Sequence, residues 1–438
     1  MYETADAEQK AGQPNSPGAP PARKRRKKRA GYTFLQKFII CTALIVALVA
    51  AIPLAASFIL HLSQNQAQSV IPTINPTDVT SLPNLRDPER REALFIDQMI
   101  EHMTLDEEIG QMLVGDVYGT TYGADLQSMV VDNHIGAVIL YGSNIQSTEQ
   151  TQALDAAIQQ HGQIPLFISS DQEGGTVNRL LNITGYRPSA EEIGATNDPN
   201  RAYQQGVDDG KILGQLGINL NLAPVVDVQT VSDYASILPT RMFGTTADKV
   251  TTFAGAYLEG LQSQNVVGSI KHWPGLGWST VDPHDALPVT NRSKDDLNAI
   301  DFAPYRTLIS KGDVDMVMVT HELVTAYDPT MPSSVSPILV NQVLRHDLGF
   351  QGVVVTDGLH MAALSRWSPG QVAVLAVMAG DDMLLSFSSF ELPGVFDALH
   401  QAINSGQITK ARIDLSVQRI LALKIKYGLI KMPPLHQP

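Results

Sequence analysis

Eight short apolar runs rich in β-branched residues recur along this chain, and helix-like segments separate them. The runs are Met112–Val117, Gly136–Tyr141, Pro165–Ser169, Asn219–Val226, Val266–Ile270, Val314–Thr320, Gly352–Thr356 and Asp382–Ser386. Amphipathic stretches such as Thr148–Gln160, Arg201–Leu216, Ala247–Gln264, Asp296–Lys311, Leu339–Leu348 and Gly370–Ala379 lie between them. Eight strands alternating with helices predict an α/β fold of the (β/α)8 TIM barrel type. An open doubly wound sheet is the alternative, but no Gly-x-Gly-x-x-Gly follows the first strand. Helices at Phe390–Ile403 and Thr409–Tyr427 close the chain. Before the first strand, Pro88–His102 reads as a helix, and Thr104 with Glu107 forms a capping box for another.

The barrel accounts for residues 87–432. The chain before it divides by composition. Residues 1–37 hold nine Lys/Arg against three Asp/Glu, a charge of +6, within a net charge of −13. The rest therefore carries −19, which argues against a nucleic-acid partner. Residues 1–37 read as a disordered basic cytoplasmic tail. Phe38–Leu60 is 23 residues without a charge, long enough to cross a bilayer as a helix. Positive charge just before it orients the N-terminus inward. The expectation is a transmembrane signal anchor over 38–62 and an extracellular spacer over 63–86. The catalytic domain then faces outward from the cell membrane as a single-pass protein. A cleaved secretory signal is the rival, but the apolar run exceeds the ~7–15 residues of a signal core. Cys41, the single cysteine, lies inside the span and excludes an intrachain disulfide.

In such a barrel, polar residues at the C-terminal strand ends converge on one mouth. The third strand ends in Asp171-Gln172-Glu173-Gly174-Gly175, with Arg179 close behind. A loop after the fourth carries Arg241. The fifth supplies Lys271, His272, Asp282 and His284, the sixth Thr320-His321-Glu322, and the seventh Thr356-Asp357-Gly358. The opposite strand ends begin blandly, with Gln163, Gly217, Asn265, Gly312 and Gln351. Asp357 beside small Gly358 suits a nucleophile, and its bland alternative is a helix N-cap. His284 suits a general acid and base, with Asp282 fixing its tautomer. Lys271, Arg179 and Arg241 are long donors for hydroxyl or carbonyl oxygens; ion pairing at the rim is their alternative. A metal-dependent hydrolase using His272, His284, His321 and Asp357 is the rival chemistry, against which stands the lack of a His-x-His pair at the end of the first strand.

These residues resemble glycoside hydrolase family three, in its β-N-acetylhexosaminidase branch. Met103-Thr104-Leu105-Asp106-Glu107-Glu108-Ile109-Gly110-Gln111 is similar to the family's opening. The run from Asp171 to Arg179 is similar to its first sugar-binding loop, Lys271-His272-Trp273-Pro274-Gly275 through Asp282-Pro283-His284 to its acid/base loop, and Val354-Val355-Thr356-Asp357 to its nucleophile strand. The resemblance implies a retaining hydrolase of terminal β-linked N-acetylglucosamine, acting through a covalent glycosyl-enzyme on Asp357. His284 is implied as acid/base, supported by Asp282, and Asp171, Arg179, Arg241, Lys271 and His272 as the sugar-binding set. It implies no metal and no cofactor. An outward-facing, tethered enzyme of this kind suits cell-wall fragments. Leu276 and Trp278 depart from the family's polar and small residues, and both bear on the geometry of the acid/base loop, which is expected to close over the sugar. A catalytically silent sugar-binding protein, a β-glucosidase-like enzyme and phosphorolysis are the other readings.

Overall fold

The computed structural model describes residues 87–433. The tail, anchor and spacer expected over residues 1–86 lie outside the described residues. Among the described residues no helix is long and apolar enough to cross a membrane.

All eight expected strands form. They are β1 (Leu113–Asp116), β2 (Ala137–Leu140), β3 (Phe167–Ser170), β4 (Leu220–Asn221), β5 (Val267–Trp273), β6 (Met316–Val319), β7 (Val353–Thr356) and β8 (Leu384–Phe387). Every neighbouring pair is parallel, in sequential order. The ring closes twice over. Leu113 pairs with Leu384 between β1 and β8, and the Thr356 N–H donates to Met383 O at 3.0 Å between β7 and β8. The strands are buried along their whole length, as expected where helices cover one face and barrel side chains fill the other.

Helix ends follow their sequence signals. Thr104 accepts from the Glu107 N–H while Glu107 bonds back to the Thr104 N–H, and Ser368 and Gln371 repeat the arrangement. The helix expected over 296–311 breaks into Lys294–Asp296, a π-type turn at Leu297–Asp301, and Ala303–Lys311. Pro304 explains the break, since it has no N–H to donate to the preceding turn.

Two strand limits differ from expectation. The β4 ladder is only two residues long, because Pro224 in the following segment has no N–H for a ladder; pairing with β5 resumes at Val225 and Lys271. Strand β5 runs on through Lys271 and His272 to Trp273, so these side chains project from the barrel wall rather than from a loop. The Trp273 ring is wholly buried, packed 4.7 Å from Phe302 and edge-on to Tyr305, with its indole N–H on Leu339 O at 3.2 Å. It pins the exit of β5 in the core and offers no face to a sugar.

Candidate active site

One cavity of about 420 Å³ opens at the C-terminal mouth of the barrel. Its lining includes Asp171, Arg179, Arg241, Lys271, His272, Asp282, His284 and Asp357, so the catalytic and sugar-binding set expected from the sequence meets there, while His321 lies outside the lining. Four of the eight, Asp171, Lys271, His272 and Asp357, come from strand ends or the first residues after them, and the other four from the loops that follow, where the alternation of parallel strands and helices aims side chains at one point.

The cationic floor is built on Glu173. Lys271 Nζ lies 2.6 Å from Asp171 Oδ1 and 2.7 Å from Glu173 Oε1. Arg241 grips the same Glu173 with Nε at 2.7 Å and Nη2 at 2.8 Å. Burial alone would raise the Glu173 carboxyl, but Arg241 and Lys271 hold it far below the usual carboxylate range. Burial likewise opposes the charge on Lys271, and Asp171 with Glu173 more than offsets it, so the ammonium persists. Both cations therefore stay charged and fixed in direction, a pre-arranged donor set for oxygen atoms.

His272 stands beside Arg241, its Nε2 3.4 Å from Arg241 Nη2. Its other nitrogen, Nδ1, donates to Asp227 Oδ2 at 2.7 Å. Asp227 also accepts the Leu276 N–H at 2.8 Å, so one buried carboxylate orients the imidazole and anchors the acid/base loop. Asp227 escaped sequence reading. It lies one residue beyond the expected fourth strand, and nothing in the run Val225-Val226-Asp227-Val228 marks it except a carboxylate among apolar neighbours.

Asp357 follows β7. Its Oδ1 accepts the Gly358 N–H at 2.8 Å and its Oδ2 faces the Thr320 hydroxyl at 3.3 Å. Desolvation raises its pKa, but the Gly358 N–H and the Lys271 ammonium are among the groups that lower it by more, and the balance falls below the ordinary value. It is a carboxylate at neutral pH, as a nucleophile must be. His321 is wholly buried between the Ser334 hydroxyl, 2.7 Å from Nδ1, and Gly358 O, 2.9 Å from Nε2. A carbonyl only accepts, so Nε2 carries the hydrogen, and burial lowers the imidazole pKa by more than Asp357 and the Gly358 carbonyl raise it. The ring is a neutral brace for the Asp357–Gly358 turn. That commitment leaves it no lone pair toward the cavity, and among the described residues no group of three or more His, Cys, Asp or Glu is placed to hold a metal ion.

The loop that carries Asp282 and His284 leaves β5 and reaches across the mouth. Its tip is docked: Pro283 O accepts the Ala363 N–H at 3.1 Å, from the segment that follows Asp357. His284 Nδ1 donates to Asp282 Oδ1 at 2.8 Å, which leaves Nε2 for the cavity. The pair is the exposed part of the site, with side-chain exposures of 63% and 40%. Leu276 seals the loop base in a small apolar cluster with Val225, Leu238 and Met242. Trp278 donates its indole N–H to Gly275 O at 2.8 Å, a contact within the loop.

The model of the glycosyl hydrolase family 3 N terminal domain matches residues 104–423. A β-hexosaminidase, LpqI of Mycobacterium tuberculosis, is 36% identical over 326 residues, covering 73% of this chain and 82% of its own. The solved family 3 β-N-acetylglucosaminidase of a Paenibacillus species superposes with a TM-score of 0.72 at 35% identity, covering 77% of this chain and 65% of that one. A β-N-acetylhexosaminidase of Beutenbergia cavernae gives 0.68 at 30% identity, over 74% and 98% of the two chains. With its barrel and its cavity spanned by the same match, the chain belongs to glycoside hydrolase family 3.

Proposed function

We propose that this protein is a retaining, exo-acting β-N-acetylhexosaminidase that releases terminal β-linked N-acetylglucosamine. One observation carries the reading: an ionised carboxylate, Asp357, and a carboxylate-backed imidazole, His284, line a single cavity whose floor is a fixed array of hydrogen-bond donors. The curated and solved relatives bearing hexosaminidase names support the substrate class.

In this mechanism Asp357 attacks the anomeric carbon while His284 Nε2 gives its proton to the departing oxygen. The bond to the leaving group breaks as the bond to Asp357 forms. In the second step neutral His284 takes a proton from water, whose oxygen displaces Asp357 and restores the β configuration. Asp282 fixes the imidazole and stabilises its charged form. Asp171, Arg179, Arg241, Lys271 and His272 hold the sugar hydroxyls and the acetamido group. The chemistry invokes no metal or cofactor. From the charge and hydropathy of residues 1–62 we further propose that the barrel is tethered outside the cell membrane, where cell-wall fragments containing N-acetylglucosamine are at hand.

The test uses the full chain in detergent with chromogenic β-N-acetylglucosaminide and β-glucoside, beside Asp357→Ala and His284→Ala. The expected result is turnover of the first substrate, abolished in Asp357→Ala. A folded wild-type protein inactive on both substrates refutes the reading. An Asp357→Ala variant with wild-type turnover refutes the nucleophile.

A further inference from the structure

Opposite strands in an eight-stranded ring are four apart, so β7 faces β3 and β5 faces β1. Three of these four positions carry groups with roles already given: Asp357 after β7, Asp171 after β3, and Lys271 with His272 on β5. The fourth wall of the cavity stands at the ends of β1, β2 and β8. Asp116, Tyr141 and Ser386 line it, and the mechanism uses none of them.

This wall is built as a unit. The Tyr141 hydroxyl donates to Asp116 Oδ1 at 2.8 Å and lies 3.5 Å from Ser386 Oγ. Burial and then the Asp116 carboxylate push the Tyr141 hydroxyl well above its ordinary pKa, so it keeps the proton it donates. Asn144 clamps the exits of β1 and β2 together, accepting the Tyr141 N–H at 2.7 Å and donating to Val117 O at 3.0 Å. Ser386 is the extra residue of a β-bulge, since Val114 pairs with Leu385 but Gly115 with Phe387. Its φ is +72°, a left-handed value that a residue other than glycine seldom adopts. Bulges beside active sites re-aim side chains, and this one leaves Ser386 on the cavity lining. Among the described residues Asp116 pairs with no cation and makes no side-chain hydrogen bond besides that from Tyr141. Its Oδ2 therefore remains an acceptor for a ligand hydroxyl.

Handedness decides which part of a sugar meets this wall. Right-handed β-α-β connections order the strands anticlockwise as seen from the mouth. In the proposed reaction the α face of a β-D-glucoside rests toward Asp357, and its β face turns toward His284. Seen from the β face, the ring carbons run clockwise from C1. With C1 at Asp357 and C4 across the cavity at Asp171, C2 and C3 fall on the β5 side. C5 and C6 fall on the β1 side.

We propose that Asp116, backed by Tyr141 and Ser386, accepts a hydrogen bond from the C6 hydroxyl and selects sugars that carry one. The proposal rests on the roles given to Asp357 and His284, which set the direction of the sugar. A hydroxymethyl group swings on one bond, and a fixed carboxylate reads it by accepting its hydrogen. A methyl group in the same place leaves that carboxylate desolvated and unpaired.

The experiment compares kcat/KM for three chromogenic substrates: β-N-acetylglucosaminide, its 6-deoxy analogue and its 3-deoxy analogue. The full chain in detergent should prefer the 6-hydroxyl over 6-deoxy by about 10- to 150-fold, the worth of a hydrogen bond to a charged group. Asp116→Ala should bring that ratio to within about threefold of unity. Asp116→Asn, which keeps the shape and a neutral acceptor, should hold it at about 2- to 10-fold. The ratio for the 3-deoxy substrate should be the same in all three proteins. A structural role for Asp116 would lower every rate together and leave the ratios alone. A wild-type 6-deoxy ratio within about threefold of unity would overturn the proposal. So would a 6-deoxy ratio unchanged in both variants, or a 3-deoxy ratio that moves more than the 6-deoxy one. A wild type inactive on every substrate would instead refute the hydrolase reading. Calorimetric affinities for N-acetylglucosamine and its 6-deoxy analogue would then judge the wall by the same ratio.

Discussion

Asp227→Asn is the most informative single substitution at the site. The native carboxylate accepts three N–H groups, His272 Nδ1–H at 2.7 Å, the Leu276 N–H at 2.8 Å and, more loosely, the His272 backbone N–H at 3.4 Å. An asparagine of the same shape has one acceptor oxygen and one donor nitrogen. If the oxygen keeps Leu276, the amide N–H faces Nδ1 and forces the imidazole hydrogen to Nε2. Nε2 then becomes a donor 3.4 Å from Arg241 Nη2, itself a donor, and loses its capacity to accept from a sugar hydroxyl. If the oxygen keeps His272, the loop backbone loses its anchor. Either way one charge-assisted bond is lost, worth ~1.5–3 kcal/mol, or roughly 10- to 150-fold in kcat/KM. The assay is kcat/KM on a chromogenic N-acetylglucosaminide, with the melting temperature measured alongside. A variant within about threefold of wild type would refute the claim that Asp227 sets the His272 tautomer.

Further outcomes follow from the same geometry. His284→Ala should lose about 10²- to 10⁴-fold in kcat on substrates with poor leaving groups and far less on activated ones; uniform losses in a leaving-group series would remove His284 from proton transfer. Gly277→Ala places a Cβ 1.9 Å from Val228 O, a backbone atom that no rotamer change relieves. The loop must shift, so kcat should fall more than the melting temperature, and a fully active variant would show that the loop closes differently. Asp155 is buried with no hydrogen-bond partner among the described residues, and burial raises its carboxyl to about 8. Its folded-state pKa is raised, so its stabilising contribution is complete below the unfolded value of ~3.9 and is lost as pH rises through about 8. Asp155→Asn should therefore gain on wild type between pH 4 and 8, by at most ~1.4 kcal/mol per pH unit. Melting curves that stay parallel across that range would count against a protonated Asp155.

The barrel was legible because its signal is redundant. Eight apolar runs had to fail together for another fold to win, and the errors fell at Pro224 and Pro304, where a single proline altered the backbone, and at the exit of β5, which runs on to Trp273. Asp357, His284 and Lys271 were legible for another reason: strand ends concentrate ionisable groups on one side, and those three sit beside Gly358, Asp282 and His272 in short, dense clusters. Asp227 was harder. It matters through an imidazole 45 residues away in sequence. Burial decides its role, and a sequence does not state burial for an isolated carboxylate. Trp273 and Trp278 look alike in sequence, yet one is core and the other stays partly accessible on the loop.

The roles within the cavity follow from hydrogen-bonding capacity that remains unspent. Lys271 has three donors and uses two on Asp171 and Glu173, so one is left for a ligand oxygen. Arg241 spends Nε and one Nη2 hydrogen on Glu173, which leaves Nη1 free to turn toward the sugar. His272 has committed Nδ1 to Asp227, and its Nε2 takes only a long 3.4 Å contact from Arg241 Nη2. His321 has committed both nitrogens and keeps nothing, although its imidazole lies beside Asp357. By that count His284 is an imidazole lining the same cavity as Asp357, with a free Nε2 and a carboxylate behind it. Substituting His321 should therefore disturb Asp357 through the Gly358 turn and leave leaving-group dependence unchanged. Substituting His284 should steepen that dependence while Asp357 stays ionised. The contrast between the two histidines separates bracing from proton transfer within a single cavity.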